Sequence, residues 1–308
     1  MEQKEKKEIK NESTLIGIYD EELRRLESRV GKDRSANTYK AMKQGRRYVV
    51  LFLEDKMHKE DLFLSELTPQ MIYDFSVYLS AERELRGGTV WLTCQQLKGV
   101  VNRAYQRGVL TWNPFAGFHI AKKIRPREYL TEEELERLIN YHFDKHSLSF
   151  ARDIFLFSAF TGLSYIDICE LRQTDIVKIG DSTWIISKRH KTKIPYQVRL
   201  FDVPLSILRR YQSIGNETVF GNLEYRSLAH HIHLMMEEVG LRKSITMHCA
   251  RHTFAVLAIN KGMPIESLSR ILGHANITTT QIYAKITMKK LETDMKKLEK
   301  SLNIINKM

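Results

Sequence analysis

Apolar residues recur at helical spacing through the first third of the chain. A stripe at intervals of three and four residues follows Ser35, which can cap a helix. Thr68–Pro69 opens a second stripe, with the threonine as cap and the proline at the first helical position, where its missing N–H costs no hydrogen bond. Gly87–Gly88 breaks the chain before a third stripe, and Asn113–Pro114 ends it. The pattern predicts an all-helical domain over residues 14–120.

A second periodic region follows, with a different mixture of elements. Thr131 and Glu134 have the spacing of a capping box, and the pattern predicts helices over residues 131–144 and 148–161. Apolar and polar residues then alternate with period two around a basic turn at 188–193, which predicts a β-hairpin. Further helices follow. The expected fold is mainly α, with a small antiparallel β-sheet in the second domain.

These patterns divide the chain into five parts. We expect a flexible tail at 1–13, the helical domain at 14–120, a basic linker at 121–130, the second domain at 131–290 and a C-terminal helix at 291–308. The tail has a single large aliphatic residue, too little apolar surface to offset the entropy cost of ordering. The C-terminal helix has a heptad stripe that needs a partner surface, made of Leu291, Met295, Leu298, Leu302 and Ile305.

Composition narrows the class of protein. Of the 308 residues 43% are hydrophobic, yet no apolar run is long enough to span a membrane, and no apolar segment follows the charged N-terminus. We therefore expect a cytoplasmic protein. Three widely spaced cysteines cannot form a disulfide framework. A net charge of +12 favours a polyanionic partner, most often a nucleic acid.

Residues that could take part in a reaction cluster in the last quarter of the chain. His248 and Arg251 share a helix face if that segment is helical, and His274 and Tyr283 follow. No glycine-rich phosphate loop, GxSxG elbow or HExxH zinc motif occurs, so we expect neither a cofactor nor a metal. Metal-free attack on a phosphodiester needs a nucleophile, fixed cations for the charge on the phosphate and an acid for the leaving oxygen. The cluster can supply all three.

Several motifs in order resemble the tyrosine recombinase, or phage integrase, family. HxxRH at 248–252, LGH at 272–274 and a tyrosine nine residues later follow Thr161-Gly-Leu, an Asp at 167, Leu-Arg at 171–172 and a basic hairpin. The resemblance spans residues 14–290, and is nearest to the integrases of mobile elements in Bacteroides-type bacteria. It implies a helical core-binding (SAM-like) domain that binds DNA, followed by a catalytic domain.

The resemblance also implies a role for each matched residue. Tyr283 would attack the scissile phosphate and form a 3′-phosphotyrosyl link, although a phenol with a pKa of about 10 needs activation. Arg251 would bind the phosphate oxygens. His248 and His274 would donate to the same phosphate or handle the tyrosine's proton. Lys191 matches the lysine that protonates the leaving oxygen, and Lys188 and Lys193 are the alternatives in that hairpin.

One position departs from the family. The first catalytic arginine normally follows Thr-Gly-Leu, but here the residue is Ser164, whose hydroxyl cannot replace a guanidinium. We hypothesise that Arg189 replaces it, because in an extended segment Arg189 and Lys191 would point to the same face. Arg172 and Arg152 are the next candidates. Asp167 matches an acidic position that orients a neighbouring cation, and the nearby His252 is read as structural.

The predicted function is therefore site-specific DNA recombination, as an integrase or invertase that clamps double-stranded DNA. The family implies a homo-tetramer on paired DNA sites, monomers free in solution, a C-terminal helix that docks in trans and a host factor that bends DNA. Two alternatives stay open. A type IB topoisomerase would share the chemistry, and Ser164 suggests a non-catalytic DNA-binding accessory protein.

Overall fold

The computed structural model describes residues 13–121, 128–211, 217–283 and 288–305. The chain divides into two compact units, Met1–Arg125 and Pro126–Met308. Nearly all of the predicted tail and residues 122–127 of the predicted linker lie outside the described residues. Within the described part of the chain, no helix combines the length and apolarity needed to cross a membrane.

The first unit is built of helices, as the apolar stripes predict. The caps predicted at Ser35 and Thr68 are confirmed, because each side chain accepts a backbone N–H three residues on. Gly87 and Gly88 do not lie before the helix but form its first turn. Glycine is tolerated there because the end of a helix frays and is less ordered than its interior. The α-helices are α1 (Leu15–Glu27), α2 (Ala36–Phe52), α3 (Pro69–Val77) and α4 (Gly87–Gln106).

Short π-helical segments extend two of these helices, Leu53–Met57 after α2 and Tyr78–Glu82 after α3. Phe52 packs edge to face on Phe75, with ring centroids 5.3 Å apart, and the Tyr78 ring lies 5.6 Å from Phe52. These aromatic side chains join α2 to α3 in the core of the first unit.

The second unit carries helices around a small sheet. Its helices are α5 (Glu132–Asn140), α6 (His146–Thr161), α7 (Tyr165–Cys169), α8 (Asp202–Tyr211), α9 (Tyr225–Glu238), α10 (Met247–Asn260), α11 (Ile265–Leu272), α12 (Thr278–Gln281) and α13 (Met288–Ile305). The capping box of Thr131 and Glu134 is confirmed. The helix that follows it ends at Asn140, not at 144, because Arg152 takes the Tyr141 carbonyl and Ser149 takes the Phe143 carbonyl.

The sheet has three antiparallel strands rather than the two of the predicted hairpin. They lie in the order β1 (Ile176–Ile179), β2 (Ser182–Lys188) and β3 (Pro195–Arg199). Strand β1 is too short to show an alternation, and its residues are at most half-buried. Ile185 of β2 and Val198 of β3 pair directly and face the core.

Helix α6 occupies the centre of the second unit. It is apolar around most of its circumference, and α8, α9 and α10 pack against it. Helix α11 packs against β3 and ends where predicted, at Gly273, which adopts the left-handed conformation with φ of 59°. This packing brings the β2–β3 turn, the start of α7 and the end of α11 next to α10.

Candidate active site

Arg189 lies at the centre of the site, just after β2. Its side chain is 5% exposed, and one terminal nitrogen donates to Asp167 Oδ2 at 2.7 Å. The other donates to the carbonyl of Ile271, in the last turn of α11, at 2.6 Å. The guanidinium carbon lies 4.1 Å from the centroid of the Tyr196 ring, at stacking distance. Arg189 is therefore fixed on three sides.

Arg251 is held beside Arg189 by backbone carbonyls instead of a carboxylate. One terminal nitrogen donates to the Gly162 carbonyl at 2.8 Å, and the other donates to the Leu272 carbonyl at 2.7 Å. Leu272 follows Ile271, so consecutive carbonyls at the end of α11 each bind one arginine. Because the C-terminal end of a helix is electronegative, this position favours both cations.

Asp167 organises the start of α7. Its carboxylate accepts the Ser164 hydroxyl at 2.6 Å, the His190 backbone N–H at 3.0 Å and the Arg189 guanidinium. Burial by itself raises the pKa of the Asp167 carboxyl, but Arg189 and these hydrogen bonds outweigh burial, so the pKa lies below its usual value. The carboxylate is ionised, and Ser164 serves as the helix cap that binds it.

His274 follows the end of α11. Its Nε2 lies 3.0 Å from a terminal nitrogen of Arg251, and its Nδ1 lies 2.8 Å from the Thr280 hydroxyl of α12. Burial, Arg251 and Arg189 together lower the pKa of His274 to about 4. The imidazole is therefore neutral at physiological pH.

Tyr283 is buried near the same arginine. It is 7% exposed, its ring centroid lies 4.8 Å from that of His252, and it interacts electrostatically with Arg251. Burial and the neighbouring Arg189 lower the pKa of Arg251 to about 10, and the Tyr283 hydroxyl opposes that shift. Arg251 stays charged at neutral pH, next to the candidate nucleophile.

Four of the six predicted site residues thus meet, namely Arg189, Arg251, His274 and Tyr283. Lys191 and His248 are exposed, and within the described residues neither side chain has a hydrogen bond or an ion pair. His248 does lie on helix α10, three residues before Arg251, as predicted. Lys191 lies in the turn after β2, whose neighbouring Thr192 hydroxyl is 3.5 Å from the Gly273 carbonyl oxygen.

The geometry predicted for Arg189 and Lys191 is wrong. We expected both side chains on one face of an extended segment, but β2 ends at Lys188 and a turn follows. The Lys193 N–H donates to the Arg189 carbonyl at 2.8 Å, which closes that turn. Arg189 consequently points into the protein, whereas Lys191 is exposed.

The other candidate arginines have partners of their own. Arg152 bonds to Asp153 and to the Tyr141 carbonyl, and Arg172 pairs with Glu217. Among the described residues, no group of three or more His, Cys, Asp or Glu side chains is placed to hold a metal ion.

Two contributors to the site were missed by the sequence interpretation. Thr280, fully buried, bonds to His274, and Gly273 passes so close to Arg189 that an added Cβ would lie 2.5 Å from Arg189 Cγ. The glycine was read only as a helix stop. The position of Thr280, three residues and about one helical turn before Tyr283, was a signal that could have placed it near the candidate nucleophile.

The first unit has a basic cleft between α1 and α2. Arg46, Arg103 and Arg107 pair with acidic residues of α1. Other cations at the cleft have no such pair within the described residues, and they can face a polyanion. The cleft has a volume of about 640 Å³, and its basic lining residues are Arg24, Lys40, Lys43, Arg46 and Arg47.

Comparison with known proteins identifies related sequences. Residues 128–290 match the phage integrase family, and residues 14–124 match the phage integrase SAM-like domain. A tyrosine recombinase of Thermosipho africanus is 28% identical over 181 residues, which cover 56% of this chain and 62% of that protein. The tyrosine recombinase XerC of Oceanobacillus iheyensis is 25% identical over 243 residues, covering 73% of this chain and 79% of XerC.

Solved structures share the fold. The Tn1549 transposon integrase in complex with a circular intermediate DNA superimposes with a TM-score of 0.75 at 17% identity, covering 92% of this chain and 99% of that one. A lambda integrase dimer bound to a COC′ core site gives a TM-score of 0.71 at 19% identity, with 92% and 80% coverage.

Proposed function

Because the chain belongs to the phage integrase family of tyrosine recombinases, we propose that it is a site-specific DNA recombinase, an integrase or invertase. It cleaves and rejoins DNA through a 3′-phosphotyrosyl intermediate. The observation that carries this proposal is the meeting of Tyr283 with Arg251, Arg189 and His274 at the end of α11.

The proposed reaction is a transesterification. The Tyr283 oxygen forms a bond to the scissile phosphorus, and the bond from phosphorus to the 5′ oxygen breaks. Arg251 and Arg189 stabilise the charge that develops on the non-bridging oxygens. Lys191, exposed on its turn, protonates the leaving 5′ oxygen, and His248, at the start of α10, takes up the proton that Tyr283 loses. Reversal by the 5′ hydroxyl of another strand rejoins DNA without an external energy source.

A nicked suicide substrate tests the nucleophile. Incubated with a substrate that carries the ends of the encoding element, the chain should form a covalent protein–DNA adduct, and Tyr283→Phe should remove it completely. Tyr225→Phe, at an exposed tyrosine, is the matched control and should retain the adduct. An adduct that persists in Tyr283→Phe, or none from the wild-type chain on its own site, contradicts the proposal.

A plasmid-relaxation assay and the suicide substrate together separate the two alternative functions. A type IB topoisomerase relaxes a supercoiled plasmid that has no recombination site, whereas a site-specific recombinase leaves that plasmid supercoiled. An accessory protein binds the site and forms no adduct.

We further propose that Arg189 replaces the arginine missing at Ser164. Two observations support this proposal: Arg189 lies beside Arg251, and Asp167 and the Ile271 carbonyl hold its guanidinium in place. A guanidinium held in this way is preorganised to bind a phosphate. Arg189→Ala should slow cleavage by about 100- to 1000-fold, the cost of losing one such donor. Arg172→Ala, at an arginine paired with Glu217, is the control. Cleavage at the wild-type rate in Arg189→Ala contradicts the assignment.

We also propose that the chain is nearest to the Bacteroides-type mobile-element integrases. The support is the resemblance of residues 161–175 and 248–285 to that branch, which also departs from the family at the position of Ser164.

Both units contribute to DNA binding in this proposal. The basic cleft of the first unit, defined above, contacts phosphates, and the basic residues at 121–130 contribute to a clamp around the duplex. Binding should weaken steeply with salt, because each neutralised phosphate releases counterions. Replacing Lys40, Lys43 and Arg47 together should reduce the salt slope without altering the chemistry of the adduct.

The last helix supports assembly of a tetramer on paired sites from monomers in solution. Helix α13 exposes an apolar stripe, with Leu291 45% exposed and Met295 56% exposed. The second unit also has an apolar groove of about 530 Å³, lined mainly by Leu135, Ile139, Phe160, Phe201, Phe254, Leu257 and Met263. Its rim carries Glu132, which pairs with Lys261 at 2.6 Å, and Glu136, which suits a lysine of a second copy's α13.

A chain that ends at residue 287 tests the exchange of α13. It should bind a single DNA site as the full chain does, but should not assemble two sites into one complex in a gel-shift assay. Assembly unchanged by the truncation contradicts docking in trans. Adding a host DNA-bending protein to the full chain tests the remaining predicted partner, through the yield of paired complexes.

A further inference from the structure

The contacts of His274 determine which of its nitrogens carries a proton. Arg251 lies 3.0 Å from Nε2, and a guanidinium has only donors. Nε2 must therefore present its lone pair to Arg251. Since the neutral imidazole has one N–H, that hydrogen is on Nδ1, which donates to the Thr280 hydroxyl at 2.8 Å.

Thr280 is placed to hold this tautomer. It is fully buried on α12, a four-residue helix one turn before Tyr283, and the Tyr283 backbone N–H donates to its carbonyl at 3.0 Å. One residue thus binds the imidazole with its side chain and the segment of the nucleophile with its backbone. A hydroxyl can accept the Nδ1 hydrogen, and a hydrocarbon of the same shape cannot.

We propose that Thr280 is a positioning residue that holds His274 as a neutral imidazole with its proton on Nδ1. This inference rests on the proposed recombinase function and deepens it. Nε2 then accepts a hydrogen bond from Arg251 and helps to hold that guanidinium in place. In this proposal His274 acts through Arg251, and the imidazole itself takes up no proton during cleavage.

The charged groups around His274 support this assignment. Arg251 of α10 and Arg189 of the β2–β3 turn both disfavour a second positive charge on the imidazole. Asp167 accepts from Arg189 and not from His274. The carboxylate therefore compensates the charge of Arg189 without stabilising a protonated imidazole. Arg251 also interacts electrostatically with Tyr283, so one guanidinium acts on both the imidazole and the candidate nucleophile.

Nitrogen NMR of the histidine side chains reads the tautomer without any DNA. In the full chain labelled with ¹⁵N-histidine, His274 at pH 7 should show a protonated Nδ1 and an unprotonated Nε2, with its signals assigned by their loss in His274→Gln. Thr280→Val should shift that pattern, and Thr280→Ser should preserve it. A protonated Nε2 in the wild-type chain overturns the proposal, whatever the variants do.

Cleavage rates on the suicide substrate supply the functional half of the test. Thr280→Val should slow adduct formation by about 10- to 100-fold, the usual cost of losing a partner that orients an active-site histidine, and Thr280→Ser should recover most of the rate. Thr253→Val is the matched control, since it deletes another fully buried hydroxyl, the one that accepts the Leu130 N–H. That variant should lose stability but keep the wild-type tautomer and rate.

These results separate the two proposals. If the wild-type chain forms no adduct, the recombinase function fails while the NMR pattern still tests Thr280. If the wild-type chain forms the adduct and Thr280→Val cleaves as fast as Thr280→Ser, the function stands and the positioning role is overturned.

Discussion

Among the described residues of the second unit, two buried carboxylates contact arginines, and their surroundings differ. Asp153 is 2% exposed and accepts from Arg152 at 3.1 Å, from Arg210 at 2.7 Å and from the Tyr211 hydroxyl at 2.9 Å. Asp167 is 6% exposed, and in the described part of the chain the guanidinium that contacts it is that of Arg189. Both carboxylates are buried, yet only the second lies at the candidate active site.

The difference lies in which charges are left uncompensated. Both arginines near Asp153 touch its carboxylate, and the Arg210 side chain is half exposed, so water screens it. Near Asp167, Arg251 is buried and bonds to carbonyls, with no carboxylate partner among the described residues. A buried cation without a counterion favours binding of an anion. The Asp153 cluster therefore joins α6 to α8, whereas the Asp167 cluster leaves a buried cation whose charge a bound anion would compensate.

Matched substitutions of the two carboxylates test this difference most strongly. Asp153→Asn and Asp167→Asn should each lower the free energy of unfolding by about 3 kcal/mol, because each leaves a buried ion pair broken. Only Asp167→Asn should also slow cleavage, by about 100-fold, since Arg189 loses the partner that fixes it. Denaturant unfolding measures the first effect, and adduct formation on the suicide substrate measures the second.

The contrast fails if both variants cleave at equal rates at a temperature where both are folded. Circular dichroism at the assay temperature confirms that condition. Equal slowing would mean that loss of stability alone explains the effect on cleavage, and unimpaired cleavage in Asp167→Asn would remove Asp167 from the active site.

The sequence predicted which residues form the candidate site more accurately than it predicted how they are arranged. Motif order brought together Tyr283, Arg251 and His274, because a family motif specifies residue types at fixed spacing. The role of Arg189 was hypothesised from an assumed extended backbone, whereas its actual orientation depends on where β2 ends and on the distant Asp167. Such a contact, across 22 residues, is a property of tertiary packing that local periodicity does not contain.

A pair of glycines tests how closely Arg189 is packed. Gly273 and Gly180 both have positive φ, 59° and 57°, so alanine is strained at either position. At Gly180 an added Cβ meets nothing within 4 Å, whereas at Gly273 it would lie 2.5 Å from Arg189 Cγ. Gly273→Ala should therefore slow cleavage by about 10-fold through displacement of Arg189, and Gly180→Ala should not.

Both alanine variants should lose about 1–2 kcal/mol of stability from backbone strain, with a further loss from crowding at Gly273. Unfolding and cleavage measured together separate the two effects. If Gly273→Ala cleaves as the wild-type chain does, Arg189 either moves without consequence or does not contact the phosphate.

The fold was more predictable than the site because many of its signals are local in the sequence. Caps such as Ser35 and Thr131 act within one helical turn, so the sequence alone contains both the cap and the N–H group that it binds. Strand β1 had a local signal as well, the Gly180–Asp181 turn between two apolar runs, which is typical of a hairpin. Thr280 was missed because its partner, His274, lies six residues earlier in the connection between α11 and α12, and periodicity does not predict the path of that connection.

The smallest effect is expected from pH, and it also distinguishes the two clusters. His274 belongs to the Asp167 site and has its pKa lowered to about 4, against about 6.5 in the unfolded chain. Between these values the unfolded state binds the proton and the folded state does not, so this histidine makes stability rise with pH. The contribution of this histidine to stability is fully present above about pH 6.5 and is lost as the pH falls towards 4.

Partial exposure of His274 reduces this effect on stability to about 1 kcal/mol, or about 3 °C in Tm. The wild-type chain should therefore lose more Tm than His274→Gln between pH 6.5 and pH 4.5, whereas His230→Gln, at an exposed residue of α9, should follow the wild-type curve. Parallel curves for the wild-type chain and His274→Gln would mean that the folded protein accommodates a charged imidazole beside Arg189 and Arg251. The uncompensated positive charge that sets the Asp167 cluster apart from the Asp153 cluster would then be absent.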